Sequence, residues 1–289
     1  MKNPFIKYWY LLVIILLIVC SKIIYDTNII FNTEHININE KLLLNMHISG
    51  DDELVIYDCS KKIFHQTSAK AMQAVFFKDN TILLNNFDNI SEYNLNTNRE
   101  TIIYQDEFFD FFAVCNINIL SLAQDNYIHI YNIKTKEKKV LVQDNGCEIH
   151  SWSDDGKILY YSDVYGKIKS FNVMSGESKE IGTGYDPIVC GTNIAYKSKG
   201  ELIVKNVQTH NEIVYDGKAY SYCFSSDGNA LIIEDELSTG TALKNLFSNG
   251  DVLGHSIIFW DYVNDEKNTI INSCVPRPYL ICDSKTGTQ

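Results

Sequence analysis

From about residue 40 to the end of the chain, apolar residues fall into short runs separated by polar turns, and the runs are rich in Val, Ile, Leu, Tyr and Phe. Runs this short, with β-branched and aromatic residues, predict strands rather than helices. The strands come in groups of four. One group reads Ala74–Phe77, Thr81–Leu84, Ile90–Leu95 and Thr101–Tyr104, and the next reads Phe111–Cys115, Ile117–Leu122, Tyr127–Ile133 and Lys139–Val142.

A phrase recurs once per group: a strand ends on an aromatic residue, or once on a lysine, and an Asp or Asn then opens a polar turn. The copies are Tyr57-Asp58, Tyr93-Asn94, Tyr131-Asn132, Phe171-Asn172, Lys205-Asn206 and Trp260-Asp261, with steps of 36, 38, 40, 34 and 55 residues between successive Asx positions. An Asx side chain accepts bonds from the backbone of the turn it opens, so each copy predicts a hairpin between the third and fourth strands of a group. Four strands per repeat and six repeats predict an all-β chain, a six-bladed β-propeller. The first group, Leu42–Ile48, Leu54–Asp58 and Ile63–Gln66, has only three strands. Arg277–Cys282 is the expected fourth, so a C-terminal strand should close a ring spanning 40–283 and leave 284–289 as a tail.

Ser151-Trp152-Ser153-Asp154-Asp155-Gly156-Lys157-Ile158, and again Cys223-Phe224-Ser225-Ser226-Asp227-Gly228-Asn229-Ala230, resemble the Phe-Ser-Pro-Asp-Gly-Lys opening of blades in TolB-type, WD40-like propellers. Asp154 and Ser226 stand where that repeat has proline. The resemblance spans residues 40 to 283 and implies the architecture; propellers of this kind serve many functions, so it implies no activity.

The N-terminus departs from this pattern. Lys2 and Lys7 precede the apolar run Tyr8 to Cys20, which extends through Ser21 and Lys22 to Tyr25 if Lys22 snorkels toward the headgroups. Positive charge before an apolar core predicts an N-terminus held inside and an exported remainder. The expectation is a membrane anchor or signal segment over 1–25, a linker over 26–39, and a propeller on the extracytoplasmic side, periplasmic or at the cell surface. Two competing outcomes are a cleaved signal peptide and lipidation at Cys20; Val19 is larger than the residue a lipobox needs before its cysteine.

With 36 Asp and Glu against 25 Lys and Arg, the chain carries a formal charge of −11, which argues against nucleic acid as a partner. In a propeller the loops from fourth to next first strand, and from second to third, share one side. That side collects Asp51, Asp52, Glu53, Asp106, Glu107, Asp144, Asp163, Asp186, Asp216, Asp235 and Glu236. The other holds Lys61, Lys62, Arg99, Lys134, Lys136, Lys138, Lys139 and Lys267. An acidic mouth would attract a cationic partner or a divalent cation, although solvated loops on an acidic protein would look the same. The long insertion of the sixth repeat, Leu237 to Gly254, carries Leu243, Leu246 and Phe247 at near-helical spacing and is a second candidate partner-binding element.

Eight cysteines in an exported chain raise the question of disulfides, but Cys115, Cys190, Cys223 and Cys282 fall in predicted inner strands and Cys59 in a third strand, positions that suit buried free thiols. The seven histidines show no metal-ligand spacing, and His150 is a lone residue before an inner strand. There is no nucleophile elbow, phosphate loop or Cys-x-x-Cys pair, so no cofactor, metal ligand or catalytic residue is assigned. The leading expectation is a membrane-anchored protein-binding or scaffold module contacting an envelope protein. A propeller lyase or hydrolase acting on sugar or lactone substrates in the channel mouth is the alternative. Exposed aromatics at an open mouth would favour the first, and converging carboxylates and histidines in an enclosed pocket the second.

Overall fold

The computed structural model describes residues 40–48, 51–78, 80–86, 88–106, 108–144, 149–236, 255–273 and 278–280. The apolar segment 1–25, the linker 26–39, Glu107, the insertion with Leu243, Leu246 and Phe247, Cys147, Cys274, Cys282 and the tail lie outside them. Side chains of Asp51, Asp52, Glu53 and Glu236 also lie outside, although their backbone is placed.

Six antiparallel sheets of four strands make up the described chain. Blade 1 holds β1 (Lys41–Ile48), β2 (Asp51–Asp58) and β3 (Ile63–Gln66); blade 2 holds β4 (Gln73–Phe76), β5 (Thr81–Asn85), β6 (Asn89–Asn94) and β7 (Arg99–Gln105). Blade 3 holds β8 (Phe111–Asn116), β9 (Ile119–Gln124), β10 (Tyr127–Asn132) and β11 (Lys138–Gln143); blade 4 holds β12 (His150–Trp152), β13 (Ile158–Ser162), β14 (Lys167–Asn172) and β15 (Ser178–Thr183). Blade 5 holds β16 (Tyr185–Cys190), β17 (Asn193–Ser198), β18 (Glu201–Asn206) and β19 (Glu212–Tyr215); blade 6 holds β20 (Ala219–Phe224), β21 (Leu231–Glu236), β22 (His255–Asp261) and β23 (Glu266–Ser273). The last strand, β24 (Pro278–Leu280), joins blade 1, pairing Leu44 with Leu280, Asn45 with Tyr279 and Met46 with Pro278. The C-terminal strand therefore closes the ring, as the three-stranded first group predicts.

The second strand of each blade is buried on both faces, and alternation sends its residues to opposite neighbours. Leu42 and Leu44 of β1 join a cluster with Cys223, Ile232 and Ile257 of blade 6. Leu43 between them joins Ala74, Ile82 and Leu84 of blade 2. Each seam between neighbouring blades has one such cluster, and the one joining blades 6 and 1 marks the circle as complete.

The predicted hairpins are present, and all six Asx residues accept backbone bonds. Asp58 accepts from Lys61 N (3.0 Å), Asn94 from Thr97 N (3.0 Å), Asn132 from Thr135 N (3.0 Å), Asn172 from Ser175 N (3.0 Å), Asn206 from Thr209 N (2.9 Å) and Asp261 from Asn264 N (3.0 Å). Four residues after each Asx the backbone turns left-handed, at Lys62, Asn98, Lys136, Gly176, His210 and Asp265, with φ between 52° and 72°. Only one of these is glycine.

The seam between blades 3 and 4 carries a polar fastening. Ser121 Oγ accepts Trp152 Nε1 at 2.7 Å and lies 2.7 Å from His150 Nε2, so the buried His150 joins blade 4 to blade 3. At the Asp-Gly turns, Ser153 Oγ donates to Asp155 (2.8 Å) and Ser225 Oγ to Asp227 (2.6 Å). A Cβ on Gly156 would stand 2.9 Å from Cys115 Sγ, and one on Gly228 2.5 Å from Cys190 Sγ. Each glycine thus admits a cysteine from the preceding blade.

Three of the inner-strand cysteines sit as expected in β8, β16 and β20, and Cys115 and Cys190 are free thiols. Cys59 lies one residue past β2, in the hairpin, where it is buried. The second strand of blade 3 starts at Ile119 rather than Ile117. Asn116 Oδ1 accepts Asn118 N at 2.9 Å, and this Asx turn leaves the apolar Ile117 exposed.

Candidate functional site at the upper face

Because the strands of each blade are antiparallel, the loops entering the first strand and those joining second to third lie on one side, here called upper. The described residues place every exposed large aromatic side chain there: Phe108, Tyr165, Tyr185 and Tyr220. Three of them stand on blades 4 to 6, and local backbone irregularities explain their exposure.

Tyr185 opens β16, and the register between β16 and β17 shifts between Tyr185 and Ile188. The Asp186-Pro187 step lies in this bulge, with Asp186 left-handed at φ 58°. A bulge re-aims the side chain beside it. Proline, which cannot donate to a ladder, fits there. The strained residue is held from two sides: Tyr222 Oη donates to Asp186 O at 2.6 Å, and Lys197 Nζ lies 3.4 Å from Asp186 Oδ2. Two glycines make room. A Cβ on Gly166 would stand 2.8 Å from the Tyr185 ring, and one on Gly184 2.3 Å from Lys197 O. The tyrosine ring therefore lies across the turn that displays Tyr165, which is 73% exposed.

The same device recurs one blade on. The β20–β21 register shifts between Ala219 and Ser221, so Tyr220 is the extra residue and is pushed outward. Lys197 Nζ donates to Tyr220 O at 2.8 Å and lies 5.4 Å from the Tyr222 ring, so one lysine braces both bulges. Burial holds the Tyr222 phenol well above its ordinary range, with the nearby Asp186 adding to the shift. It remains a neutral donor to the bulge.

The predicted acidic residues take varied places. Asp163 is 3% exposed and builds the Tyr165 turn, accepting from Tyr165 N and Lys167 N at 2.9 Å each. Burial works against its charge. Bonds from Lys169 and the two amides prevail and hold its carboxyl below the usual range. Lys169 Nζ bridges it (2.9 Å) to Asp144 (2.5 Å); burial opposes the lysine's charge, but the two carboxylates raise its pKa. Asp106 accepts from Lys138 at 2.7 Å and from Tyr104 Oη at 2.9 Å. Lys267 pairs with Asp216. Thus Lys138 and Lys267, assigned by connectivity to the opposite side, reach carboxylates of the acidic set. Asp51, Asp52 and Glu53 open β2 on the upper edge of blade 1, opposite Ile48, His47 and Met46. The 237–254 segment joins β21 to β22, whose ends Glu236 and His255 pair on the upper edge of blade 6. Among the described residues no three His, Cys, Asp or Glu side chains converge as metal ligands.

Sequence reasoning missed Tyr165, Tyr185, Tyr220 and Lys197. The available signals were Asp186-Pro187 within a strand run and the glycines that flank it.

No known family profile matches the chain, and no curated protein is similar to it in sequence. Among solved structures, a chain of the nidogen/laminin complex is similar with a TM-score of 0.56 and 13% identity, covering 78% of this chain and 91% of that one. The tricorn protease is similar at a TM-score of 0.45 and 10% identity, covering 65% of this chain and 22% of its own. The first of these supports the propeller fold and extends no further, since 1259 solved chains share the shape and propellers serve many activities.

Proposed function

We propose that the protein is a binding module that takes a protein partner on its upper face, on an envelope membrane to which residues 1–25 anchor it. The observation that carries this reading is the gathering of Tyr165, Tyr185 and Tyr220 on one face, two of them presented at strand bulges. Tyrosines offer large, rigid contact area with a polar tip, and such residues dominate binding energy at interfaces. Backbone strain held in place by Lys197 is consistent with a surface shaped for contact. The two Ser-x-Asp-Gly turns, built alike in blades 4 and 6, support kinship with TolB-type propellers. A nidogen/laminin complex offers a precedent for a propeller of this shape within a protein assembly.

Photo-crosslinking tests the reading. A crosslinking residue at Tyr165, with the chain in its native membrane, should yield one discrete protein adduct that the same residue at Thr209 on the opposite side does not give. Tyr185→Ala in the Tyr165 reporter should weaken the adduct by about tenfold or more, the loss typical of an aromatic anchor. Equal adducts from both sides would overturn the assignment.

A further inference from the structure

The chain enters the ring at a defined place. Glu40, the first described residue, accepts Ser226 N (3.0 Å) and Ser226 Oγ (2.5 Å) from the lower turn of blade 6, while its carbonyl accepts Cys59 N (3.0 Å) from the lower hairpin of blade 1. Glu40 therefore stands on the lower side, at the seam of blades 1 and 6, and the chain joins the ring there. In the sequence Glu40 follows a linker over 26–39 joined to the apolar run ending near Tyr25. Fourteen residues reach at most about 50 Å.

The lower rim nearest this point is basic. Lys61 and Lys62 stand on the blade 1 hairpin, Arg99 on that of blade 2, and Lys134, Lys136 and Lys139 on that of blade 3, all exposed. Ile63 (47% exposed) and Ile117 (48% exposed) stand among them. Acids on this arc among the described residues are engaged: Asp58 is buried within its own turn and paired with Lys61, Glu100 beside Arg99 accepts from Ser91 Oγ (2.5 Å) and Asn86 Nδ2 (3.2 Å), and Glu137 lies 3.7 Å from Lys139. Farther round, the hairpins of blades 4 and 6 carry Glu177, Asp265 and Glu266, so the positive side is the arc of blades 1 to 3. This distribution is opposite to the chain's net charge of −11.

We infer that the lower rim of blades 1 to 3 docks on anionic lipid headgroups of the membrane that holds residues 1–25, turning the upper face outward. The inference rests on the anchor in the proposed function but not on the partner-binding role of the upper face. Lysines at an anionic surface each add on the order of fivefold to binding. A tether this short supplies a high effective concentration, so weak contacts suffice to hold an orientation. Charge repels the acidic hairpins of blades 4 and 6 from the same surface and fixes the tilt. Basic and apolar tips together suit an interface that is polar outside and hydrocarbon beneath.

The test uses the full chain reconstituted into vesicles of phosphatidylcholine alone or with phosphatidylglycerol. Flotation reads the anchor. Lysine acetylation followed by mass spectrometry reads the rim, with Lys70 on the upper side as an internal control. Flotation with both vesicle types is expected, together with at least fivefold slower acetylation of Lys61, Lys134 and Lys139 on the anionic vesicles, reversed by salt. Arg99→Glu with Lys134→Glu should abolish the slowing while leaving flotation and the thermal melt unchanged; the melt shows that the variant still folds. Failure to float removes the anchor and with it this inference. Flotation without selective slowing, or slowing that the charge reversals do not touch, overturns the docking. Protection in native membranes but not in protein-free anionic vesicles would assign the rim to an acidic protein and likewise overturn it. The photo-crosslink on the upper face is read separately from all of these.

Discussion

Asp163 is a carboxylate that the ring encloses almost completely, and its bonds to two amides and Lys169 hold its pKa below the ordinary carboxylate range against the cost of burial. A carboxyl lowered on folding stabilises the protein fully above its unfolded pKa and loses that contribution as pH falls through the folded value. Asp163→Asn should therefore cost about 1–2 kcal/mol near pH 7. The gap between variant and wild type should stay constant down to about pH 4 and narrow below it. Urea melts across the acid range check this; a gap that widened on acidification would contradict the role given to its charge. The same residue shows how a charge read as a surface feature can be a turn-builder. Connectivity placed Asp163 on the correct side, but only the bonds to Tyr165 N and Lys167 N identify it as the support of an exposed tyrosine.

The hairpins joining third and fourth strands were legible because their chemistry is local. An Asx oxygen reaches amides two and three residues on, and that information is contiguous in sequence. The left-handed residue that completes each hairpin was not legible, since Lys62, Asn98, Lys136, His210 and Asp265 occupy it beside a single glycine, Gly176. A non-glycine residue in that region costs roughly 1 kcal/mol or more, partly offset by the greater freedom glycine has when unfolded. His210→Gly should thus raise the melting midpoint by a degree or more, as calorimetry would show; a lower midpoint would mean that the imidazole makes a stabilising contact. The upper-face bulges were illegible for a different reason. A register shift belongs to two strands at once, so Tyr220 looks like any strand residue until its pairing with β21 is known. Side-chain reach was a further obstacle: Lys138 and Lys267 begin on hairpins and end on Asp106 and Asp216.

At the scale of the molecule, six seams share one construction, and the seam between blades 6 and 1 includes Leu42, Leu44, Cys223, Ile232 and Ile257. Among the described residues, three of β24 pair with β1 and complete the ring. Removal of residues 278–289 should unfold the ring in one cooperative transition at lower temperature, because a broken circle loses its closing strand and loosens the adjoining seam. Circular dichroism melts of the full and shortened chains would show it. An unchanged midpoint would mean that the circle holds without β24. The overall architecture was open to sequence reading because it repeats; the upper-face site was not, because it consists of departures from the repeat.

The closing strand also sets a schedule. During synthesis the inner edge of β1 waits for its partner until β24 has been made, roughly 10 s to a minute at about 5–20 residues per second. Through that interval blade 1 is an apolar sheet with an open edge, the kind of edge that pairs with other chains. The nascent protein therefore stays exposed to aggregation until β24 emerges, and the pairing of β24 with β1 removes that hazard.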